Sequence, residues 1–408
     1  MQALLGILLL LGLAWLLSES KRNIVWRFAG IGLLIQLTLA FLFIRVDWIA
    51  QTLLLLNGVV QQIEAATAAG TSFLFGYLGG GDSPFNIIEP AATYLFAFRV
   101  LPQVIVFSAM IAVLWHWGVL RLIVRGFGWT LKRTLGLSGA LGTSGAATLF
   151  LGMVETPMVV RAYLKDLSRS EYFCLMTFGM STVAGSVMVL YASILNEHLP
   201  GVLGHILSAS VINVIGATYV ARIMLPEQTQ GTQDHGEGLR YESLMDAVTK
   251  GTTDGLALAM NVGAMLLVLL SLVALVNGLL GMIPTGEWVL SLERMMGWLF
   301  APVAWLIGIP WDEAVMAGSL LGTKVVLNEL VAYLQFAAIT ESFGARSQLI
   351  LIYALCGFAN FGSLGILLGG LNTLAPERRK ETLEIAPKSL ISGTIVTLIT
   401  GAVIGIVA

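Results

Sequence analysis

Apolar positions run through this chain in blocks of membrane-spanning length instead of alternating with polar ones. Stretches beginning near Ala3, Asn23, Leu101, Tyr172, Val202, Leu256, Ser347 and Lys388 are apolar enough for helices that cross a bilayer, which takes about 20 residues each. The pattern predicts an all-α membrane protein with about eight transmembrane helices. Between them lie apolar pieces broken by Gly, Pro or charge, at Gly142 to Tyr163, Gly297 to Ile309 and Trp311 to Ala338. These are too interrupted for ordinary spans. Ala3 to Leu17 has no basic residue ahead of it and no convincing small-residue cleavage site after it, so it reads as a retained helix and not a signal peptide. Gly126 to Ser138 mixes Trp129, Leu131 and Leu135 with Lys132 and Arg133, which fits a short amphipathic helix in the membrane interface and fits a loop equally well.

Composition agrees with the pattern. Of 408 residues, 57% are hydrophobic and 11% charged, against roughly 25% charged in soluble domains. Cys174 and Cys356 both fall in apolar segments and imply no disulfide framework. The net charge of −2 is uninformative, but the placement of charge is not. Lys21, Arg22 and Arg27 follow the first span, and Arg121, Arg125, Lys132 and Arg133 follow the third; Arg378, Arg379, Lys380 and Lys388 precede the last. Asp47, Glu64, Asp82 and Glu89 occupy the connection between spans two and three. Because cytoplasmic loops collect Lys and Arg, the N-terminus and the C-terminus are both predicted outside.

The most polar stretch, Glu227 to Glu242, divides the second half of the chain, and the two sides repeat each other. On one side a broken segment holds Glu155 and the following span is interrupted by Ser181, Thr182, Gly185 and Ser186; on the other a broken segment holds Glu329, with Phe358, Asn360, Gly362 and Ser363 interrupting the next span. The spacings from acid to serine agree within three residues. Paired interruptions in corresponding halves point to a secondary transporter built from inverted repeats, with its site where helices unwind. An ionised group in hydrocarbon costs at least ~2.5 kcal/mol, so Glu155 and Glu329 mark that site by default. Gly152 and Pro157 bracket Glu155 as hairpin-tip residues would.

Other chemistries are poorly served. The histidines, His116, His198, His205 and His235, lack metal-ligand spacing. Gly318 to Lys324 fails the phosphate-loop pattern, and no nucleophile elbow occurs. An intramembrane enzyme using the two acids would lack a nucleophile or metal, so the chain reads as a non-enzyme without cofactor. Paired acids, hydroxyls, an asparagine and the flat face of Phe358 suit a small polyhydroxylated solute with a ring.

At these motifs the chain resembles the concentrative nucleoside transporter family. The resemblance rests on Gly76 in Phe73-Leu-Phe-Gly, on Leu101-Pro102-Gln-Val-Ile-Val-Phe-Ser, on Gly-x-x-Glu-x-Pro at 152 to 157, and on Lys250-Gly-Thr-Thr-Asp-Gly-Leu-Ala-Leu-Ala-Met-Asn261. It continues through Ala317-Gly-Ser-Leu-Leu-Gly-Thr-Lys-Val-Val-Leu-Asn-Glu329 and Phe358-Ala-Asn-Phe-Gly-Ser363 with Gly365 and Ile366. It implies a homotrimer in a bacterial inner membrane, whose subunits contain two re-entrant helical hairpins and two unwound helices and import nucleoside with sodium or protons. The implied organisation is scaffold and interfacial helix over 1–138, a first transport repeat over 139–226, a polar loop and connecting helices over 227–312, and a second repeat over 313–408. Glu329, Asn360 and Ser363 would hold the ribose, beside Asn328, with Phe358 packing on ribose or base. Glu155 and Val187 would face the base. Met153 and Val154 stand where the family carries polar base contacts, so base preference does not transfer. The implied sodium set is Thr148, Leu151, Ser181 and Thr182; Thr148 replaces an asparagine, which keeps proton coupling through Glu155 or Glu329 open. A sensor that kept the fold without transport, and a transporter of free nucleobases, are the alternative readings.

Overall fold

A computed structural model describes residues 2–46, 62–63, 65–86, 95–195, 199, 201–227, 240–283 and 289–408. Asp47, Glu64, Glu89, His198, His235 and most of the polar stretch after Glu227 lie outside the described residues. Among those described, the regular elements are all helical. Four helices among the described residues are long and apolar enough to cross a membrane: Trp26–Arg45, Phe96–His116, Val202–Met224 and Pro376–Val407. The first predicted stretch is the shorter helix Gln2–Leu16.

The stretches predicted from Tyr172 and Ser347 are both broken, as the interruptions required. One is Arg169–Ser181 followed by Gly185–Leu195, and the other Ala345–Leu355 followed by Phe361–Leu374. Two predicted boundaries move. The stretch placed near Leu256 belongs to a helix starting at Leu244 and running 37 residues to Leu280. Its polar first turns are helical because the Ser243 side chain caps them, accepting from Asp246 N at 3.1 Å. The amphipathic segment is a helix over Val119–Leu135, beginning after Gly118 at φ +84° and not at Gly126. Leu120, Val124, Leu131 and Leu135 are buried on one face, while Leu122 and Trp129 are exposed on the other.

Chain ends and loops gather at two poles. At one, the Arg45 guanidinium donates to Val407 O and Ala408 O, Arg346 donates to Gly308 O and Gly405 O, and Gln2 donates to Ile309 O. This pole carries both ends of the chain. At the other, Glu19 accepts from Arg169 and Lys388, Arg222 donates to Leu135 O and Gly136 O, and Arg378 donates to Leu164 O and Leu167 O. This is a basic pole. Helices Gly139–Ala147 and Glu155–Val159 form a hairpin that leaves the basic pole near Gly136 and returns to it near Leu164. Trp311–Val326 and Glu329–Ile339 form a second hairpin with both ends at the terminal pole, where Gly344 N donates to Glu313 Oε1 at 3.0 Å. The ends of the two helix pairs therefore lie at opposite poles.

Candidate functional site

Both acids are the first residues of returning hairpin helices, Glu155 of Glu155–Val159 and Glu329 of Glu329–Ile339. Helix N-termini favour negative charge and leave backbone N–H groups unpaired, so each tip faces its acid toward whatever the hairpins enclose. In the second repeat both breaks are capped by asparagine. Asn328 Oδ1 accepts from Val331 N at 2.8 Å, and Asn360 Oδ1 accepts from Ser363 N at 2.7 Å. The caps stop one half-helix and start the next.

Glu329 is held on both oxygens. Tyr191 Oη donates to Oε1 at 2.5 Å and Asn360 Nδ2 donates to Oε2 at 2.7 Å, with the residue only 4% exposed. Each oxygen keeps a lone pair for a further donor. Tyr191 comes from Gly185–Leu195 and Glu329 from Glu329–Ile339, so the contact joins segments 138 residues apart. The Tyr191 ring lies 4.8 Å from that of Tyr333, whose hydroxyl donates to Ile352 O at 2.7 Å.

Glu155 is set differently. Val154, ahead of it, makes no side-chain cap, and the acid borders the cavity beside the apolar side chains of Met153 and Val154. A Cβ at Gly152 would stand 2.3 Å from a Glu155 carboxylate oxygen, so any larger residue there would displace that side chain. Met153 packs on Gly179 and Val154 on Gly370, so the apolar tip is wedged between two helices at positions without side chains.

One cavity of about 310 Å³ joins these parts. Its lining includes every substrate residue expected from the sequence: Glu155, Met153 and Val154 from the first hairpin tip, Val187 from the helix after the first break, Glu329 and Asn328 from the second tip, and Phe358, Asn360 and Ser363 from the second break. It also includes residues that the sequence reading missed, chiefly Tyr191, Asp254 and Asn261. Tyr191 sits one helical turn beyond Val187 on the same face, a relation visible in the sequence once Val187 is placed. Asp254 and Asn261 share a face of Leu244–Leu280, seven residues apart; that their face borders the cavity depends on tertiary packing. Gly251 and Gly255 allow it, because a Cβ at either would stand within 3 Å of Ala109 or Ile105 on the neighbouring helix.

Three family models cover nearly all of the chain. Residues 5–78 match the N-terminus, and 205–405 the C-terminus, of the Na+ dependent nucleoside transporter model, while 97–198 match a nucleoside recognition model. The nucleoside permease NupC of Helicobacter pylori is 33% identical over 416 residues, covering 99% of this chain and 97% of that protein. The chain belongs to the concentrative nucleoside transporter family. The transporter YutK of Bacillus subtilis is 38% identical over 418 residues, with 98% of each chain covered. The transporter CNTnw in an inward-facing substrate-bound state superposes with a TM-score of 0.92 at 35% identity, over 100% of this chain and 97% of that one.

In this concentrative nucleoside transporter family member the candidate cation residues are all buried where the first hairpin meets the first break. Gly185 N donates to Phe150 O at 3.0 Å, docking the tip on the unwound segment. Thr148 Oγ1 donates to Gly145 O at 2.9 Å and Thr182 Oγ1 to Phe178 O at 2.9 Å; Ser181 Oγ reaches Phe178 O at 3.4 Å. Each hydroxyl oxygen retains lone pairs, and Leu151 O accepts only a long 3.5 Å contact from Thr156. An all-oxygen, uncharged donor set fits a hard monovalent cation.

Proposed function

We propose that this chain imports nucleosides by sodium symport, with the two hairpin tips and two helix breaks enclosing the solute. The observation that carries the reading is Glu329, buried and oriented by Tyr191 and Asn360 with acceptor capacity to spare, lining together with Phe358 a cavity of about 310 Å³. Glu329, Asn360 and Ser363 would hold the ribose hydroxyls, Asn328 would fix the tip that presents Glu329, and Phe358 would cover the sugar or base. Glu155, Met153, Val154 and Val187 would border the base, and Thr148, Leu151, Ser181 and Thr182 would hold sodium. Binding of both at one mobile block couples their movement, because only the block with its breaks filled closes over the cavity.

The wider expectations follow from the same frame. The division into 1–138, 139–226, 227–312 and 313–408 separates the repeats from the helices beside them, with the second hairpin starting at Trp311. The gathering of Arg169, Arg222, Arg378 and Lys388 at one pole supports an inner-membrane protein with that pole cytoplasmic and both termini outside. The apolar outer face of Leu244–Leu280, with Leu267 71% and Leu275 60% exposed, supports contact with lipid or with further copies in a trimer.

The test is uptake of labelled uridine and adenosine into liposomes holding the purified protein, with sodium and proton gradients imposed separately. Sodium-driven uptake is expected. Uptake driven by protons alone overturns sodium as the coupling ion, binding without uptake favours a sensor, and competition by bases but not by nucleosides favours a nucleobase transporter.

A further inference from the structure

The second repeat contains a cation where the first has none. Lys324 lies on hairpin helix Trp311–Val326 and is 1% exposed. Its Nζ donates to Ala354 O at 2.8 Å and to Thr397 Oγ1 at 2.7 Å, and Thr397 in turn donates to Thr394 O at 3.1 Å. Ala354 belongs to the last turn of Ala345–Leu355, the half-helix that ends at the second break. A helix C-terminus carries unpaired carbonyls and partial negative charge. A lysine ammonium has only donors to offer it.

The other half-helix ends against this one. Phe358 N donates to Thr182 O at 3.3 Å, and Asn213 Nδ2 donates both to Ser181 O at 2.7 Å and to Cys356 O at 2.8 Å. Gly357, at φ +155°, lies so close that a Cβ there would stand 2.8 Å from Ser181 O. Two negative helix ends thus meet in the buried interior. At the second, a hairpin lysine supplies the positive charge. At the first, the described hydrogen bonds to the Phe178, Ser181 and Thr182 carbonyls come from neutral donors: the Ser181 and Thr182 hydroxyls, the Thr182 and Phe358 amides and Asn213. That end is where the Thr148, Leu151, Ser181 and Thr182 oxygens collect.

We propose that Lys324 is the second repeat's built-in counterpart of the exchangeable cation of the first, so that one sodium ion completes a pair of cations at the crossed helix ends. Lys324 is a positioning residue: it touches the half-helix end, not the solute, and fixes how many ions the carrier needs. The inference rests on the sodium reading above. Neutralising it leaves two negative ends and one ion, and the vacated end, lined by Ala354 O and Thr397 Oγ1, offers oxygen ligands to a second.

The experiment measures radiolabelled sodium and uridine fluxes together in liposomes for the wild type, Lys324→Gln and Lys324→Arg. The wild type should take up one sodium per uridine with a Hill coefficient for sodium of about 1, and Lys324→Gln should move toward about 2 with a half-saturating sodium concentration raised at least about tenfold. Lys324→Arg should keep the wild-type ratio, since it restores charge. Lys324→Gln transporting with wild-type ratio and Hill coefficient overturns the proposal. So does a wild type that itself moves two sodium ions, a measurement that decides the matter if Lys324→Gln fails to fold. Wild-type uptake without sodium dependence strikes the sodium reading instead; the role of Lys324 then stands only if Lys324→Gln acquires a sodium requirement.

Discussion

Glu155 and Glu329 occupy equivalent first positions of their hairpin helices, yet their surroundings make them different groups. Glu329 has two side-chain donors and two asparagine-capped breaks around it, whereas Glu155 follows the apolar Met153 and Val154 at an uncapped helix start. The half around Glu329 therefore offers side-chain donors and acceptors to the cavity, and the half around Glu155 adds the apolar side chains of Met153 and Val154. Each hydrogen bond from a neutral hydroxyl to a carboxylate is worth about 1.5–3 kcal/mol. Glu329→Gln, which loses the charge for two such bonds, should weaken nucleoside binding by roughly a hundredfold or more. Tyr191→Phe should cost less, about tenfold, because Asn360 still orients the carboxylate. Calorimetry on the purified variants checks both, and an unchanged affinity in Glu329→Gln would remove the ribose role.

At the scale of elements, the unusual object is the crossing of two broken helices. Unwound backbone away from water leaves polar groups that must find partners within the protein, and Asn213, itself buried, serves both breaks at once from the largely buried helix Val202–Met224. Its own oxygen accepts from Thr400 at 2.6 Å, which ties the last helix to the same point. Asn213→Ala leaves two carbonyls and the Thr400 hydroxyl without these partners. A loss of about 1–3 kcal/mol for each group left unsatisfied is expected. It should appear as a lowered thermal unfolding temperature in detergent, partly recovered by saturating nucleoside, since the ligand stabilises the crossed arrangement by mass action. No recovery would mean that Asn213 holds the fold without serving the bound state.

For the whole molecule, the basic pole is fastened by ions. Arg169 Nε and Nη2 donate to the Glu19 carboxylate at 3.2 and 3.0 Å, Arg169 also donates to Glu384 at 2.7 Å, and Lys388 donates to Glu19 at 2.6 Å. The cluster joins the loop after the first helix, the start of the first broken helix and the start of the last helix. Burial pushes the Glu19 carboxyl up, but hydrogen bonds from Arg169 and Lys388 outweigh it and hold the group below the usual glutamate range. A carboxylate depressed in the folded state contributes stability above its unfolded value and loses it as pH falls through its folded one. Acidification through the carboxylate range should therefore loosen this pole, and Glu19→Gln should flatten that part of the pH dependence of thermal unfolding. Equal slopes in wild type and variant would show that other acids carry the effect. Raised ionic strength should weaken the same cluster, since its members are partly exposed.

Apolar block length and the Gly, Pro and Asn interruptions determined by themselves that this is a helical membrane protein whose apolar segments are interrupted beside two acids, Glu155 and Glu329. Those are local properties: a run of apolar residues decides its own solvent, and a capping or helix-breaking residue acts within a turn of itself. The start expected near Leu256 moved to Leu244 because the Ser243 cap extends that helix beyond its apolar part, and the one expected at Gly126 moved to Val119, directly after the left-handed Gly118. What only the tertiary structure decided is which ends meet. Tyr191 reaching Glu329, Asn213 joining both breaks, Lys324 on the carbonyl of Ala354 and Asp254 at the cavity wall are contacts between residues far apart in the chain. No periodicity or spacing carries that information, because a buried polar group chooses its partner by three-dimensional proximity once water is gone.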